Sequence, residues 1–205
     1  AGGFDRKSVL MRGLYEVIER DSLMTIYLNR IQVPRIDLTK FNDSHIQLLV
    51  QKCKRYKIDL YLFDITNDLC VPTFLTILVD RTGYGPLVML GAKSSYNILE
   101  AIIGSLEEAF MGRMFRIEMN KKTYSANRVN PRNISTRLQR LYYWSTNKML
   151  KHLKFLLKQQ PIALQYSDKQ YNVNEQIIKI KNNLNQMGYQ IYYTDITLPE
   201  FKNIN

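Results

Sequence analysis

Apolar residues recur at helical spacing from Ser8 to Arg30 (Leu10, Leu14, Val17, Ile18, Leu23, Met24, Tyr27), and Pro34 follows, which predicts one long helix. Ile46, Leu49, Val50 and Cys53 form a second helical stripe within Asp43–Tyr56. The pattern then changes. Ile58–Asp64 (IDLYLFD) is short, apolar and aromatic, as a buried strand is. Thr66, Asn67 and Asp68 are turn residues, and Pro72 precedes a second predicted strand over Thr73–Asp80. Gly83, Gly85 and Pro86 make the next turn, with a third strand over Leu87–Gly91. Helical spacing returns in Ser94–Arg113, in Lys148–Lys158 before Pro161, and in Asn174–Met187, which Gly188 should close as the residue after the cap. Between them, 119–145 is mostly polar and Pro131 predicts a loop, while Tyr189–Ile196 predicts a last strand. Helices mixed with strands in hairpin-like succession predict a mixed α/β or α+β domain rather than a bundle.

Composition narrows the class. The 205 residues hold 14 Tyr, 8 Phe and one Trp, too many aromatics for a wholly disordered chain. Two cysteines, Cys53 and Cys70, cannot staple a chain of this length. The apolar runs near Leu60–Phe63 and Phe74–Val79 are far shorter than a bilayer helix needs, so the expectation is a cytoplasmic protein with no membrane association. The sequence starts at Ala1 without an initiator Met and stops six residues after Pro199. We therefore expect residues 1–205 to be one segment of a longer polypeptide.

With 29 Lys+Arg against 18 Asp+Glu the net charge is +11, and eleven of the basic residues fall between Lys121 and Gln170 against one acid, Asp168. A solvated basic face, a surface for an acidic partner and electrostatic nucleic-acid binding all fit that run. No zinc-finger, helix-turn-helix or RNA-binding pattern accompanies it. His45 and His152 are far apart, and Cys53 and Cys70 have no neighbouring His, so none of the four forms a metal or thiolate motif.

The acidic residues carry more. Glu16 and Glu19 share one side of the first helix with Arg20 one turn from Glu16. On the later helix Glu100 and one or both of Glu107 and Glu108 return to one side after two turns. Carboxylates from two facing helices suit a hard cation such as Mg²⁺, which keeps waters and takes one or two carboxylates plus substrate phosphates. Such Glu pairs beside an Arg are, in most proteins, solvated surface ion pairs.

Four separated blocks tip the balance. GLYEVIERD followed by SLMTIYLNRIQVPRIDL resembles the YcaO family, and within it the SagD-like members that modify ribosomal peptides. The segment Asp64–Pro72, the run from Gly91-Ala92-Lys93 through Leu106-Glu107-Glu108-Ala109 to Arg113, and Tyr192–Pro199 resemble the family's later blocks, in the same order. The resemblance implies a YcaO-type fold, here a partial domain lacking its amino-terminal part and carboxyl tail, with long Glu-bearing helices packed on a mixed sheet. It implies ATP and Mg²⁺ as cofactors: Glu16, Glu19, Glu100 and Glu108 on the metal, with Arg20 and Arg113 joining them around the nucleotide. The implied activity is ATP-dependent cyclodehydration of Cys, Ser or Thr in a ribosomally made precursor, giving azolines in bacteriocin or toxin maturation. Thioamidation is the alternative within the family, and a degenerate scaffold or leader-peptide partner without catalysis the alternative outside enzymology. Implied partners are the precursor peptide, a leader-binding protein resembling a ubiquitin-activating enzyme, a flavin dehydrogenase of the same pathway and a second copy in a homodimer. Two positions depart from the family: Met111 stands where the second motif has Gln or Glu, and Arg12 where some members carry Ser.

Overall fold

In the computed structural model, residues 2–3, 5–83, 86–120, 133–144, 146–165, 170–197 and 200 are described. The order of elements is α1 (Arg6–Asn29), β1 (Arg35–Ile36), a 3-10 turn (Leu38–Lys40), α2 (Ser44–Arg55), β2 (Ile58–Asp64), β3 (Thr73–Asp80), β4 (Val88–Ser94), α3 (Ile98–Asn120), α4 (Arg137–Trp144), α5 (Asn147–Leu157), β5 (Pro161–Ile162) and α6 (Val173–Gln186). The five strands form one sheet in the order β4-β3-β2-β1-β5. Antiparallel pairing runs from β1 to β4, while β1 and β5 pair in parallel, bringing Ile36 opposite Ile162.

β3 explains the layering. Every one of its residues is buried, which requires cover on both faces, because side chains alternate along a strand. Phe74 packs with Leu62, Ala101, Ile102 and Leu106, and Leu78 with Cys53 and Ala109, so α2 and α3 lie on one face. Leu75, Ile77 and Val79 pack with Ile26, Leu153 and Leu156, so α1 and α5 lie on the other. The polar residues of β3 find partners inside: Thr76 Oγ1 shares a 2.8 Å hydrogen bond with Ser105 Oγ, and Thr73 Oγ1 one of 2.8 Å with Ser94 Oγ. Beyond the sheet, α6 lays Ile177, Ile180 and Leu184 against Met11, Leu14 and Ile18 of α1.

Local chemistry sets the helix ends. Asp5, Asp43 and Asn172 cap α1, α2 and α6 by accepting from backbone N–H groups two or three residues inside, and Asn172 with Glu175 completes a reciprocal capping box. Gly188, at φ +80°, follows α6 as expected.

Four expectations change. Residues 189–196 form no strand: they run past the end of α6, with Tyr192 84% and Ile196 85% exposed. Ile191 packs with the cluster between α1 and α6, and among the described residues no strand pairs with this stretch. β4 extends three residues past Gly91, through Ala92 and Lys93 to Ser94, and α3 accordingly begins at Ile98. The polar stretch after 119 contains α4, while 121–132, including four of its basic residues and Pro131, lies outside the described residues. Val17 and Met24, assigned to the apolar stripe of α1, are 67% and 48% exposed, and Met11, Ser22 and Ile26 lie inward instead. Among the described residues no helix is long and apolar enough to cross a membrane.

Candidate nucleotide site at the edge of the sheet

β4 is an edge strand, with β3 on one side only. An edge strand leaves backbone groups without ladder partners, and these must be satisfied some other way. The N–H of Ala92 donates to Glu108 Oε2 at 2.9 Å. α3 reaches this close because residue 91 is glycine: a Cβ there would sit 2.3 Å from the Ser105 carbonyl oxygen and 2.4 Å from the Ala109 nitrogen. The Gly91 contact thus fixes the height of Glu108 on the sheet edge.

α1 approaches the same edge from the opposite face, with Glu16 exposed and Glu19 half-buried. The Glu19 carboxyl is pushed up to about 8, first by burial, then by the negative charges of Glu108 and Glu16, which outweigh the opposing charges of Lys93 and Arg20. Glu19 is therefore protonated at neutral pH without a cation present. Glu16 is tied along its own helix to Arg20, whose Nε donates to Glu16 Oε1 at 2.7 Å.

Three of the sequence-assigned acids, Glu16, Glu19 and Glu108, are thus brought into one electrostatic cluster, with Arg20 on its rim. Glu100 stands apart. It lies in the first turn of α3, two turns before Glu108, and its Oε2 accepts from Ser95 Oγ at 2.9 Å. Its charge is felt instead by Tyr15 of α1, whose hydroxyl burial raises above its ordinary value and Glu100 raises further. Glu107 is exposed. Arg113 points to the other end of β4, where its Nη2 donates to Asp80 Oδ2 at 2.6 Å in a pair only 16% and 2% exposed. Burial pushes Asp80 up, but bonds from Thr82 and Arg113 outweigh it and hold the carboxyl below its ordinary value. Met111 is 72% exposed, and Arg12 Nη1 donates back to the Gly2 carbonyl at 3.3 Å.

The remaining candidates fall elsewhere. Cys53 is buried, and that burial pushes its thiol up to about 11, as suits an inert apolar filler. Cys70 is exposed at φ 56° in the β2–β3 turn. His45 is exposed on α2, and His152 lies by Tyr27, Leu28 and Arg30. Trp144 packs its ring 5.1 Å from that of Tyr27, so it is a packing residue; the side chain of Tyr142 lies outside the described residues.

Two residues were missed by sequence reasoning. Asp80 is 33 positions from the arginine it binds, and no local pattern links them. Lys93 lies two residues after the glycine that admits α3, and only the extension of β4 past Gly91 shows that it faces the acidic cluster.

The donor set fits a hard cation. It consists of carboxylate oxygens, one of them carrying an elevated pKa that metal binding would reverse. Among the described residues no three His, Cys, Asp or Glu side chains enclose a metal by themselves.

A family model described as YcaO cyclodehydratase, ATP- and Mg²⁺-binding, matches residues 1–204. An uncharacterised protein in the tfuA 3′ region of Rhizobium leguminosarum bv. trifolii is 30% identical over 82 residues, 38% of this chain and 20% of that protein. A heterocyclase solved in complex with substrate and cofactor superposes at a TM-score of 0.70 and 23% identity, covering 92% of this chain and 24% of its own. The E. coli microcin synthetase McbBCD complex with pro-MccB17 bound matches at 0.58 and 16% identity, covering 85% and 45%. The chain therefore spans about a fifth of the curated relative and about a quarter of the heterocyclase. With one family model covering all but its final residue, the chain belongs to the YcaO family.

Proposed function

We propose that this chain carries the metal–nucleotide site of an ATP-dependent cyclodehydratase, acting on Cys, Ser or Thr of a ribosomally made precursor peptide. The observation that carries the reading is the meeting of α1 and α3 at the β4 edge, where Glu108 is fixed by the Ala92 N–H and, with Glu16 and burial, pushes the Glu19 carboxyl up. A half-buried group surrounded by like charge is costly as an apo arrangement and is relieved by a cation. The family's description as ATP- and Mg²⁺-binding supports the identity of that cation and its partner.

Glu19 from α1 and Glu108 from α3 would bind Mg²⁺, while Glu16 would join them only by leaving Arg20 and Glu100 only by leaving Ser95. Bound ATP supplies the phosphoryl group that carries away the backbone amide oxygen when the neighbouring side chain closes the azoline ring. The chain's own part is positioning and charge: Glu19 gives up its proton as the cation enters, Glu108 keeps the sheet edge paired, and Arg20 screens Glu16. Arg113 would reach a phosphate only by leaving Asp80. The precursor peptide is a proposed partner, supported by the heterocyclase solved with substrate and the McbBCD complex solved with pro-MccB17, and a leader-binding subunit is proposed from the sequence resemblance alone. The SagD-like branch, in bacteriocin maturation, is the subtype that the sequence blocks favour.

A specific observation favours a second reading, a YcaO-like scaffold without catalysis: exposed Met111 occupies the family's Gln/Glu position, and a thioether is a poor Mg²⁺ ligand. Calorimetry on the intact protein separates the two. Nucleotide binding that requires Mg²⁺ and is lost in Glu108→Gln supports the enzyme. Absence of nucleotide binding by the wild type supports the scaffold. Gln is the informative replacement because its side-chain oxygen can still accept from the Ala92 N–H.

A further inference from the structure

We propose that Lys93 is the residue that contacts the polyphosphate of the bound nucleotide and makes the site prefer triphosphate over monophosphate, an assignment that rests on the nucleotide reading above. Three cations border the acidic cluster or share its helix, and two are already committed. Arg20 is bonded to Glu16 and Arg113 to Asp80. Lys93 is different: among the described residues no hydrogen bond or ion pair holds its ammonium, although its charge acts on Glu19.

Its place is built into the fold. Lys93 pairs with Phe74 in the β3–β4 register, on the side of the sheet that faces α3. Its stem lies across Gly104, where a Cβ would come 2.8 Å from Lys93 Cγ and 3.2 Å from Cδ. Glycine at 104 therefore leaves a track over the helix backbone for the lysine stem, and the ammonium lies near enough for its charge to act on Glu19. Gly91, two residues earlier, presses the same helix onto the same strand. Two glycines, one on the strand and one on the helix, thus frame a single lysine.

Charge accounting gives that lysine its task. A triphosphate brings about four negative charges to the two or three carboxylates already present, and one divalent ion leaves a large deficit of positive charge. A lysine with no committed partner, on the rim of the metal cluster, is the cation available to meet it. A monophosphate lacks the outer phosphoryl groups that such a rim residue would reach.

The test uses the intact protein, calorimetric titration with Mg²⁺-AMPPNP and with AMP, and the variants Lys93→Met and Lys93→Arg. Met preserves an unbranched stem over Gly104, and a thermal melt checks that both variants fold. The expected result is a loss of triphosphate affinity of about 10- to 100-fold in Lys93→Met, the range for hydrogen bonds to charged groups. AMP affinity should stay within about twofold, with partial recovery of the triphosphate in Lys93→Arg. Equal loss for both nucleotides, no loss, or tighter triphosphate binding in Lys93→Met would each overturn the assignment. The last of these would make the lysine a counter-ion that the metal must displace. A wild type that binds no Mg²⁺-nucleotide at all would instead overturn the nucleotide reading, independently of the variants.

Discussion

Two acidic sites sit against α3 little more than one helical turn apart, and their electrostatics run in opposite directions. At Asp80 the carboxylate is buried, yet Thr82 and Arg113 bond to it and its pKa falls. At Glu19 the carboxylate is less buried, its neighbours are Glu108 and Glu16, and its pKa climbs to about 8. The first is a structural ion pair that joins α3 to the end of β3. The second is a concentration of like charge that folding tolerates without completing. A carboxyl kept high by burial and by neighbouring acids, on well-packed elements, is the kind of group that makes a candidate ligand site.

Substitutions at the two sites should differ in kind. The largest effect is expected at the contact both depend on. Gly91→Ala would drive a Cβ into the α3 backbone, where no side chain can yield. It should cost about 3 kcal/mol or more, read as a fall in the denaturant midpoint, with nucleotide binding lost as Glu108 is displaced.

Next comes the ion pair. Asp80→Asn leaves the Arg113 guanidinium largely buried without its counter-charge and should cost about 3 kcal/mol. Because the Asp80 carboxyl lies below its ordinary value when folded, its contribution is complete above pH 4 and disappears as the pH falls through the depressed value. In Asp80→Asn that acid-side loss should shrink, while nucleotide affinity at fixed stability stays as in the wild type.

Glu19→Gln should do the reverse. The folded-state value is above the unfolded one, so the folded apo protein binds more protons. Its stability is greatest below the ordinary glutamate value of 4.5 and declines as the pH rises to about 8. Glu19→Gln should flatten this decline and stabilise the apo protein at pH 8 by an amount on the order of 2 kcal/mol, allowing for relaxation and water. It should weaken Mg²⁺-dependent nucleotide binding. A variant that loses stability at pH 8 would contradict the contrast drawn between the two sites.

Arg20→Ala is expected to have the smallest effect on stability, within about 0.5 kcal/mol. Its bond to Glu16 is an exposed pair along one helix.

The same contrast explains what the sequence made legible. The helices α1, α2, α3, α5 and α6 and the strands β2 and β3 were readable because most of their apolar positions keep a helical or strand period and their ends carry Asp, Asn, Gly and Pro signals. Glu16, Glu19 and Glu108 were readable because two of them repeat along one helix and all three lie in family blocks. What was lost depends on tertiary partners. β1 and β5 are two residues each, held by pairing with one another and with β2. The 189–196 stretch is rich in strand-forming residues but pairs with no strand among the described residues. The Arg113–Asp80 bond was not legible, because Arg113 sits in a local motif and Asp80 is remote in sequence. Lys93 was hidden by Gly91 and Ala92, which read as the end of a strand although the strand continues through them.

The central claim is that carboxylates from opposite faces of the sheet act on one ligand across the β4 edge. A double-mutant cycle tests it most directly: Mg²⁺-AMPPNP affinity of the intact protein, for Glu19→Gln, Glu108→Gln and the pair. A shared ion predicts that either change removes most of the Mg²⁺-dependent affinity and that the second adds little, a coupling of about 1 kcal/mol or more. Losses that add independently, or wild-type affinity in either single variant, would contradict it.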